Sequence, residues 1–192
     1  MNKPDKQKTQ LILNKQIFNV SYLGNIDLLN TTKISVTGTR KPTELALDIL
    51  IKYLTKLVPK YTIVSGYANG SDEMAHYKAL QYPSGKTIII LPTGINHFYV
   101  KSFYKQVWDW KKALVLSQFP DNSEWSSRNA FARNELIVLL SDNIISVHPG
   151  MKGGTFNATQ LALKYKKKIW ITDSNSDGLN FFCSKGAKKL LR

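Results

Sequence analysis

The sequence of 192 residues contains very little cysteine, with Cys183 as its single example. One cysteine excludes an intramolecular disulfide, and without a second there is no CxxC motif for zinc or redox chemistry. This usage is typical of a protein of the reducing cytoplasm, which is the location we predict. The three histidines, His76, His97 and His148, are too scattered to suggest a metal site, and we expect His76 to be structural, facing the sheet from its helix. We predict neither a metal nor another cofactor.

Long apolar runs are also lacking. No window approaches the roughly 18 apolar residues that a membrane span requires, so we predict no membrane partner. The opening MNKPDKQKTQLILNK has no long apolar region of the kind found in secretory signals, and export is not expected. Neither GxxxxGK[ST] nor a clean GxGxxG after a strand is present, so the sequence does not support a P-loop ATPase or an ordinary dinucleotide dehydrogenase.

Acidic residues are few. The sequence has 13 Asp and Glu but 27 Lys and Arg, which gives a formal charge of +14. Such a balance favours polyanionic partners, either nucleic acid or an anionic membrane face. The alternative is a surface enriched in lysine by an AT-biased genome. Four Trp, nine Tyr and eight Phe supply stacking surfaces for unpaired bases, although most aromatic residues in any domain are core. Composition therefore favours a nucleic-acid partner without deciding the matter.

Short β-rich apolar runs alternate with longer helical stretches, which is the pattern of βα units on a parallel sheet. Runs such as TIIIL are apolar throughout and predict strands covered on both faces. We therefore predict an α/β fold with a doubly wound, mostly parallel sheet of the extended Rossmann-like type. The predicted strands are 34–37, 62–65, 87–91, 114–117, 144–147 and 169–172, and the predicted helices are 44–57, 71–81, 99–112, 131–141 and 155–166.

This pattern predicts one large domain with short flanks. Residues 31–175 form the Rossmann-like core. Residues 1–30 are less regular and are expected to form a short arm or a small helical lead-in. Residues 176–192 are expected to form a C-terminal tail or helix.

Glycine-rich loops follow several predicted strands, where a doubly wound sheet places its ligand site. They cover residues 38–40, 66–72, 92–94 and 148–155. Glycine lets the backbone approach an anion closely, and free N–H groups at the next helix start bind phosphate. For any one loop, glycine that merely ends a strand or caps a helix is a sufficient explanation. The set together predicts a phosphate-binding edge without ATP hydrolysis.

Two arginine-bearing segments adjoin this edge. Arg40 follows the first loop and is expected to contact phosphate bidentately, the alternative being an ion pair with Glu44. Residues 128–134, RNAFARN, combine two guanidinium groups, two amides and an aromatic ring at the predicted entrance to a helix. We interpret them as a patch that tracks a strand, with Phe131 stacking on a base. The alternative is an amphipathic helix start with Phe131 in the core.

These residues also carry a family resemblance. SGYANGSDEMAH at 65–76 resembles the SGxAxGxDxxAH signature of the DprA/Smf family of DNA-processing proteins. Further segments resemble motifs of that family in the same order and span about residues 34–172. They are TGTR at 37–40, TIIILPTGINHFYV at 87–100, SQFP at 117–120, FARNELIVLLS at 131–141 and GGTFNATQLAL at 153–163.

The resemblance implies a non-catalytic single-stranded DNA-binding protein that assists natural transformation by protecting incoming strands and loading the RecA recombinase. It also implies an extended Rossmann-like fold and a homodimer. Carried over by position, the residues expected to contact DNA are Gly38, Thr39, Arg40, Gly66, Asn69, Gly70, Lys101, Arg128, Phe131, Arg133, Asn134, Gly153, Gly154 and Thr155. The short flanks indicate a reduced, core-only member.

The sequence departs from the family pattern at Glu135, where the family has the second arginine of RNR, and at Val100, where it has proline. The rival hypothesis is a nucleotide-derivative-binding enzyme or sensor similar to the LOG-type phosphoribohydrolases, whose PGGxGTxxE motif is partly echoed by residues 148–155. Such an enzyme needs a carboxylate near the glycosidic bond. Residues 156–159 contain no acid, and a capping role at a helix start explains Asp72 and Glu73.

Overall fold

The computed structural model describes residues 3–192 and consists of a nine-stranded sheet with helices on both faces. The strands are β1 (Gln7–Leu13), β2 (Gln16–Gly24), β3 (Lys33–Gly38), β4 (Thr62–Ser65), β5 (Thr87–Ile90), β6 (Ala113–Ser117), β7 (Asn143–Val147), β8 (Lys168–Thr172) and β9 (Lys188–Leu190). The helices are α1 (Glu44–Leu57), α2 (Ser71–Gln81), α3 (Ser127–Leu139), α4 (Gly154–Lys164) and α5 (Gly178–Cys183).

The strand order is β1-β2-β6-β5-β4-β3-β7-β8-β9. Neighbours from β6 to β9 pair in parallel, whereas β1 with β2 and β2 with β6 pair antiparallel. From β3 the chain first adds strands on one side and then, from β7, on the other. The point between β3 and β7 is therefore a topological switch point, where open α/β sheets bind ligands beyond the strands' carboxyl ends. The predicted doubly wound, mostly parallel sheet is confirmed.

Both faces of the central strands are buried. In β4, Ile63 packs with the core side chains of α1 and α2, whereas the next residue, Val64, packs with those of α3. Successive strand residues point to opposite faces, so helices on both sides bury every position. This explains the apolar runs without alternation. Within residues 3–192 no helix is both long enough and apolar enough to cross a membrane.

The expectation of an arm or helical lead-in at residues 1–30 is wrong for most of that segment, and its first two residues lie outside the described chain. β1 and β2 form an antiparallel hairpin. Asn14 and Lys15 make its turn, with φ of 49° and 64°. Two positive φ values are what a tight two-residue hairpin turn requires, and asparagine tolerates them. β2 then pairs with β6 and extends the sheet.

Two further segments differ from prediction. In place of the expected helix at 99–112 the structure has one short 3-10 helix, Ser102–Tyr104, followed by turns, and Tyr104 and Trp108 are buried in an aromatic cluster against the sheet. After α5, residues 188–190 continue as β9, with Leu190 buried, so the C-terminal segment adds a strand to the helix that was expected. The other predicted helices and strands are present. α3 begins at 127 rather than 131 because the Ser126 hydroxyl accepts from the Asn129 N–H at 3.0 Å and caps the helix earlier.

Candidate functional site

The carboxyl ends of β3, β4 and β7 open onto a groove at the switch point. One part is a cleft of about 610 Å³ lined by residues of three predicted loops and of α3. A second cleft of about 420 Å³ is lined by Tyr67, Asn69, Tyr99 and Lys101 among others. The two clefts share Arg40, Ala68, Trp125 and Arg133, so we treat them as one continuous groove. In the described chain no group of three His, Cys, Asp or Glu side chains is arranged to hold a metal.

The first two glycine loops pack directly on each other. Gly70 has φ of +79°, and a Cβ at this position would lie 2.5 Å from the carbonyl oxygen of Arg40. The Thr39 carbonyl accepts from the Ser71 N–H at 3.3 Å and from its hydroxyl at 2.9 Å. The first amide of α2 is therefore used inside the protein. Because Asp72 and Glu73 follow in the first turn, α2 does not offer an open anion site.

The start of α4 is different. Gly153, with φ of +91°, precedes the helix without a side-chain cap, and the first turn contains no acid. In residues 3–192 no hydrogen-bond acceptor meets the N–H groups of residues 154–156. Asn134 holds this turn from below, because its Nδ2 donates to the Gly154 carbonyl at 3.1 Å and to Asn157 Oδ1 at 3.0 Å. Three free amides at the positive end of a helix form an anion-binding position.

Arg40 is exposed above the first loop. Its guanidinium carbon lies 5.7 Å from the centre of the Trp125 ring, a cation–π arrangement. Within the described residues Arg40 makes no ion pair, so the alternative partner Glu44 is not engaged. Sequence reasoning missed Trp125, which is 52% exposed. The available signal was a large aromatic residue inside the polar stretch NSEWSSR.

Arg133 forms the floor of the groove rather than its wall. Its Nη2 lies 3.8 Å from Asp72 Oδ2, with side-chain exposures of 9% and 6%. Burial lowers the pKa of the Arg133 guanidinium and raises the pKa of the Asp72 carboxyl, since each charge is held away from water. The two opposite charges offset part of this cost for each other. The guanidinium also occupies the space where a Cβ at Gly66 would lie.

Lys101 is satisfied within the protein. Its ammonium group donates to Asn69 Oδ1 at 2.8 Å and to Glu73 Oε1 at 3.3 Å, and lies 4.6 Å from the centre of the Tyr67 ring. The Tyr67 hydroxyl donates to the Tyr99 carbonyl, and burial raises the pKa of Tyr67. These contacts fix the shape of loop 66–70. Lys101 and Asn69 both line the groove, but they are hydrogen-bonded to each other rather than free.

The residues predicted at the start of α3 are separated by the structure. Phe131 is 43% exposed and lines the groove, so it does not lie in the core. Arg128 is exposed on the first turn but is not among the residues that line the groove. Glu135 points elsewhere: its carboxylate accepts from the Tyr165 hydroxyl at the end of α4. The anion that departs from the family pattern therefore stays out of the groove.

The histidines occupy distinct environments. His76 is fully buried, with Nδ1 2.7 Å from Thr87 Oγ1, and burial lowers its pKa to about 4. Its expected structural role is confirmed. His148 lines the groove and has φ of 51°, an uncommon conformation for a residue other than glycine. Its N–H donates to Thr172 Oγ1 at 3.0 Å and holds this conformation.

The family model of DNA recombination-mediator protein A matches residues 7–192. The chain is 32% identical over 174 residues to the DNA processing protein DprA of Streptococcus pneumoniae, which covers 87% of the chain and 61% of that protein. It is 29% identical over 164 residues to the protein Smf of Synechocystis, which covers 81% of the chain and 40% of that protein. The chain thus spans 40% to 61% of the length of these relatives.

The fold is also similar to a solved structure of DNA processing protein A from Helicobacter pylori, which was studied for its single-stranded DNA binding mode. The TM-score is 0.83 at 27% sequence identity, and the match covers 97% of this chain and 91% of that one. The similarity therefore extends over nearly the whole chain.

Proposed function

Since the chain belongs to the DNA recombination-mediator protein A family, we propose that it binds single-stranded DNA along the groove. Membership confirms the resemblance carried by the motifs at the strand ends. The observation that carries the proposal is the Arg40 guanidinium, which is exposed and stacked on Trp125 beside the uncapped start of α4. A cation, a stacking ring and free amides together suit a phosphate with its neighbouring base.

In this proposal the strand's phosphates contact the free amides of residues 154–156 and the guanidinium of Arg40. Lys41 and Lys152 also line the groove, and neither makes an ion pair within the described chain. Four such cationic or amide positions along one groove can follow consecutive phosphates, whereas a single mononucleotide would fill only one of them. The arrangement therefore favours a strand over a free nucleotide.

Bases would stack on the exposed rings of the groove. Trp125 and Phe131 stand at one part, and Tyr99, which is 66% exposed, stands at the other. Stacking contributes about 1–3 kcal/mol per base and tolerates any sequence. We propose that Arg133 acts through its buried charge and Asn134 through the turn that it holds, so that both position the binding groups.

The nucleotide-processing alternative has less support. Its chemistry needs a carboxylate free to reach the glycosidic bond, but Asp72 is buried against Arg133 and Glu73 accepts from Lys101. We propose accordingly that the chain binds without catalysing a reaction.

A binding measurement with matched variants tests the proposal. Fluorescence anisotropy with labelled oligo-dT of about 20 nucleotides should show binding by the wild type. Arg40→Ala should weaken the affinity by about tenfold, because a charge-assisted phosphate contact is lost. Lys56→Ala removes the same charge from an exposed position on α1 and should leave affinity unchanged. Absence of oligonucleotide binding, with retention or cleavage of a free nucleotide instead, would establish the alternative.

The wider role is a separate part of the proposal. We propose that the protein acts in the cytoplasm as a homodimer, protects incoming strands during natural transformation and loads RecA onto them. The family's description as a recombination mediator supports this role. It is tested by nuclease protection of bound oligo-dT and by the rate at which RecA assembles on a strand already coated by the protein. Unchanged digestion and unchanged assembly would leave only the binding function.

A further inference from the structure

A pocket beyond the end of the groove is not used by the binding mode proposed above. It encloses about 370 Å³, within the range of small-molecule sites. Its lining includes Phe98, Trp108 and Trp110 with Lys3 and Lys105. The segment that builds it is the one where a helix was expected and an irregular aromatic cluster is found.

The pocket has an aromatic floor of Phe98 and Trp108, which are only 4% and 3% exposed, and the more exposed Trp110 lines it together with a cationic rim. The Phe98 ring lies 5.7 Å from Trp108 and 5.9 Å from Trp110, and the two tryptophan rings lie 5.0 Å apart at 84°. Lys105 is exposed and makes no ion pair in residues 3–192. Flat apolar rings beside a free ammonium group suit a ligand that is aromatic at one end and anionic at the other. A nucleotide has both parts.

Because the pocket adjoins the groove, the nucleotide it suits is one that belongs to the strand bound there. Tyr99 lines both the pocket and the nearer cleft of the groove. The Tyr67 ring lies 6.2 Å from Tyr99 on the groove side and 5.4 Å from Phe98 on the pocket side. Tyr99, which is 66% exposed, is thus the exposed ring that the two sites share. A strand leaving the groove past Tyr99 arrives at the pocket.

We infer that the pocket receives the base of a nucleotide at one end of the bound strand, with Lys105 on its phosphate. This inference rests on the proposed function. It adds to the groove a terminal subsite that holds one base out of the solvent and so limits the strand from that side. Lys3, whose ammonium group donates to the Phe98 carbonyl at 3.2 Å, lies at the pocket and supplies a second cation.

Photocrosslinking with the full chain tests the subsite. Oligo-dT of about 20 nucleotides carries a single 4-thiothymidine, moved from one end to the other. We expect crosslinks to Trp110 from one terminal position only, with interior positions reaching residues of the groove. A second arm uses labelled thymidine monophosphate alone. Crosslinking of the mononucleotide to Trp110, without any from the oligonucleotide, would overturn the assignment to a strand end.

Affinity gives an independent readout. Lys105→Ala should weaken binding of the long oligonucleotide about fivefold near 0.1 M salt, the effect of one lost phosphate contact on a single strand. Lys56→Ala, with the same change of charge, should have no effect. Equal affinities of the two variants would overturn the inference. If Arg40→Ala weakens binding, but Lys105→Ala leaves affinity unchanged and no terminal crosslink forms, the subsite is ruled out and the proposed function stands. If no oligonucleotide binds at all, the proposed function itself fails.

Discussion

Residues of the same type have different roles in this groove. Arg40 is exposed over an indole ring, whereas Arg133 is buried against a carboxylate. The first can reach a ligand, and the second supplies a fixed charge beneath it. Likewise Lys101 is held by two acceptors, while Lys152 is free of ion pairs in the described chain. Charge alone therefore does not identify a binding residue, because its partners decide whether it is available.

His76 makes the stability of the protein depend on pH. Its native pKa of about 4 lies below the ordinary value of 6.5, so on acidification the unfolded chain takes up a proton before the native protein does. The free energy of unfolding should therefore fall by roughly 3 kcal/mol as pH drops from 6.5 to 4, then level off for this group. Urea titrations of wild type and His76→Gln across this range measure the difference.

The comparison with His76→Gln isolates this histidine, because every other titrating group is present in both proteins. His97→Gln replaces an exposed histidine and is the matched control. Parallel stability curves for wild type and His76→Gln would contradict the prediction.

Most of the residues predicted to contact DNA line the groove, but their exposure was not predicted. Arg40, Phe131 and the glycine loops follow from motif and position at a strand end. The burial of Arg133 depends on Asp72, which is 61 positions earlier in the printed sequence and meets it only in the folded sheet. Trp125 was missed because no motif contains it. The contacts of a residue with distant positions are set by the tertiary fold and cannot be read from local sequence patterns.

At the scale of elements, two helix starts face the same groove with opposite electrostatics. α2 begins with two acids and a used first amide, whereas α4 begins with glycine, threonine and free amides. The first offers an anion no free site, because its acids are paired with Arg133 and Lys101, whereas the second attracts an anion. The helix starts thus give the groove a direction, with its phosphate-binding part at α4.

A charge placed in the first turn of α4 should separate stability from binding. Thr155→Asp should raise the free energy of unfolding by about 0.3–1 kcal/mol, because a carboxylate complements the helix dipole. The same carboxylate should weaken oligo-dT binding by about tenfold or more, because it faces the phosphate. Thermal unfolding and anisotropy measure the two effects.

Thr55→Asp introduces the same charge at an exposed position on α1 and should leave oligo-dT affinity close to wild type. Unchanged affinity of Thr155→Asp would remove α4 from the binding site.

Elements with a regular period were the predictable ones. α1 and α2 match their predicted bounds, and in α1 the apolar stripe and the Thr43 cap are local signals. The hairpin was not predicted, since its turn is made by Asn14 and Lys15 without glycine. The segment at 99–112 was misjudged because its aromatic spacing fits a helix, although tertiary packing of those rings decides its course.

At the scale of the whole molecule, the charge of +14 is not concentrated in the groove alone. The cations in or beside the groove that lack an ion pair in residues 3–192 are Arg40, Lys41, Arg128 and Lys152. The remaining positive charge attracts a polyanion from a distance and raises the rate of encounter. The groove then determines how many phosphates are held.

The salt dependence of binding should report that number. With Lys105 and the four unpaired groove cations each neutralising about one phosphate, log affinity for oligo-dT should fall against log salt with a slope of roughly −3.5, since each contact on a single strand contributes about −0.7. Arg40→Ala should reduce the steepness by about 0.7. Anisotropy titrations across a range of salt concentrations give both slopes. A slope near zero would show that the net charge does not act through phosphate contacts.

The absent side chain at Gly66 has a consequence for how this protein can evolve. A methyl group there would meet the Arg133 guanidinium, with an ideal Cβ only 1.5 Å from Nη1. The arginine would have to leave its place, and Asp72 would remain buried without its counter-charge. Shortening residue 133 would make room for a side chain at residue 66, but it would also leave Asp72 without its counter-charge. The effects of substitutions at the two positions are therefore not additive, and the two positions form a single epistatic unit.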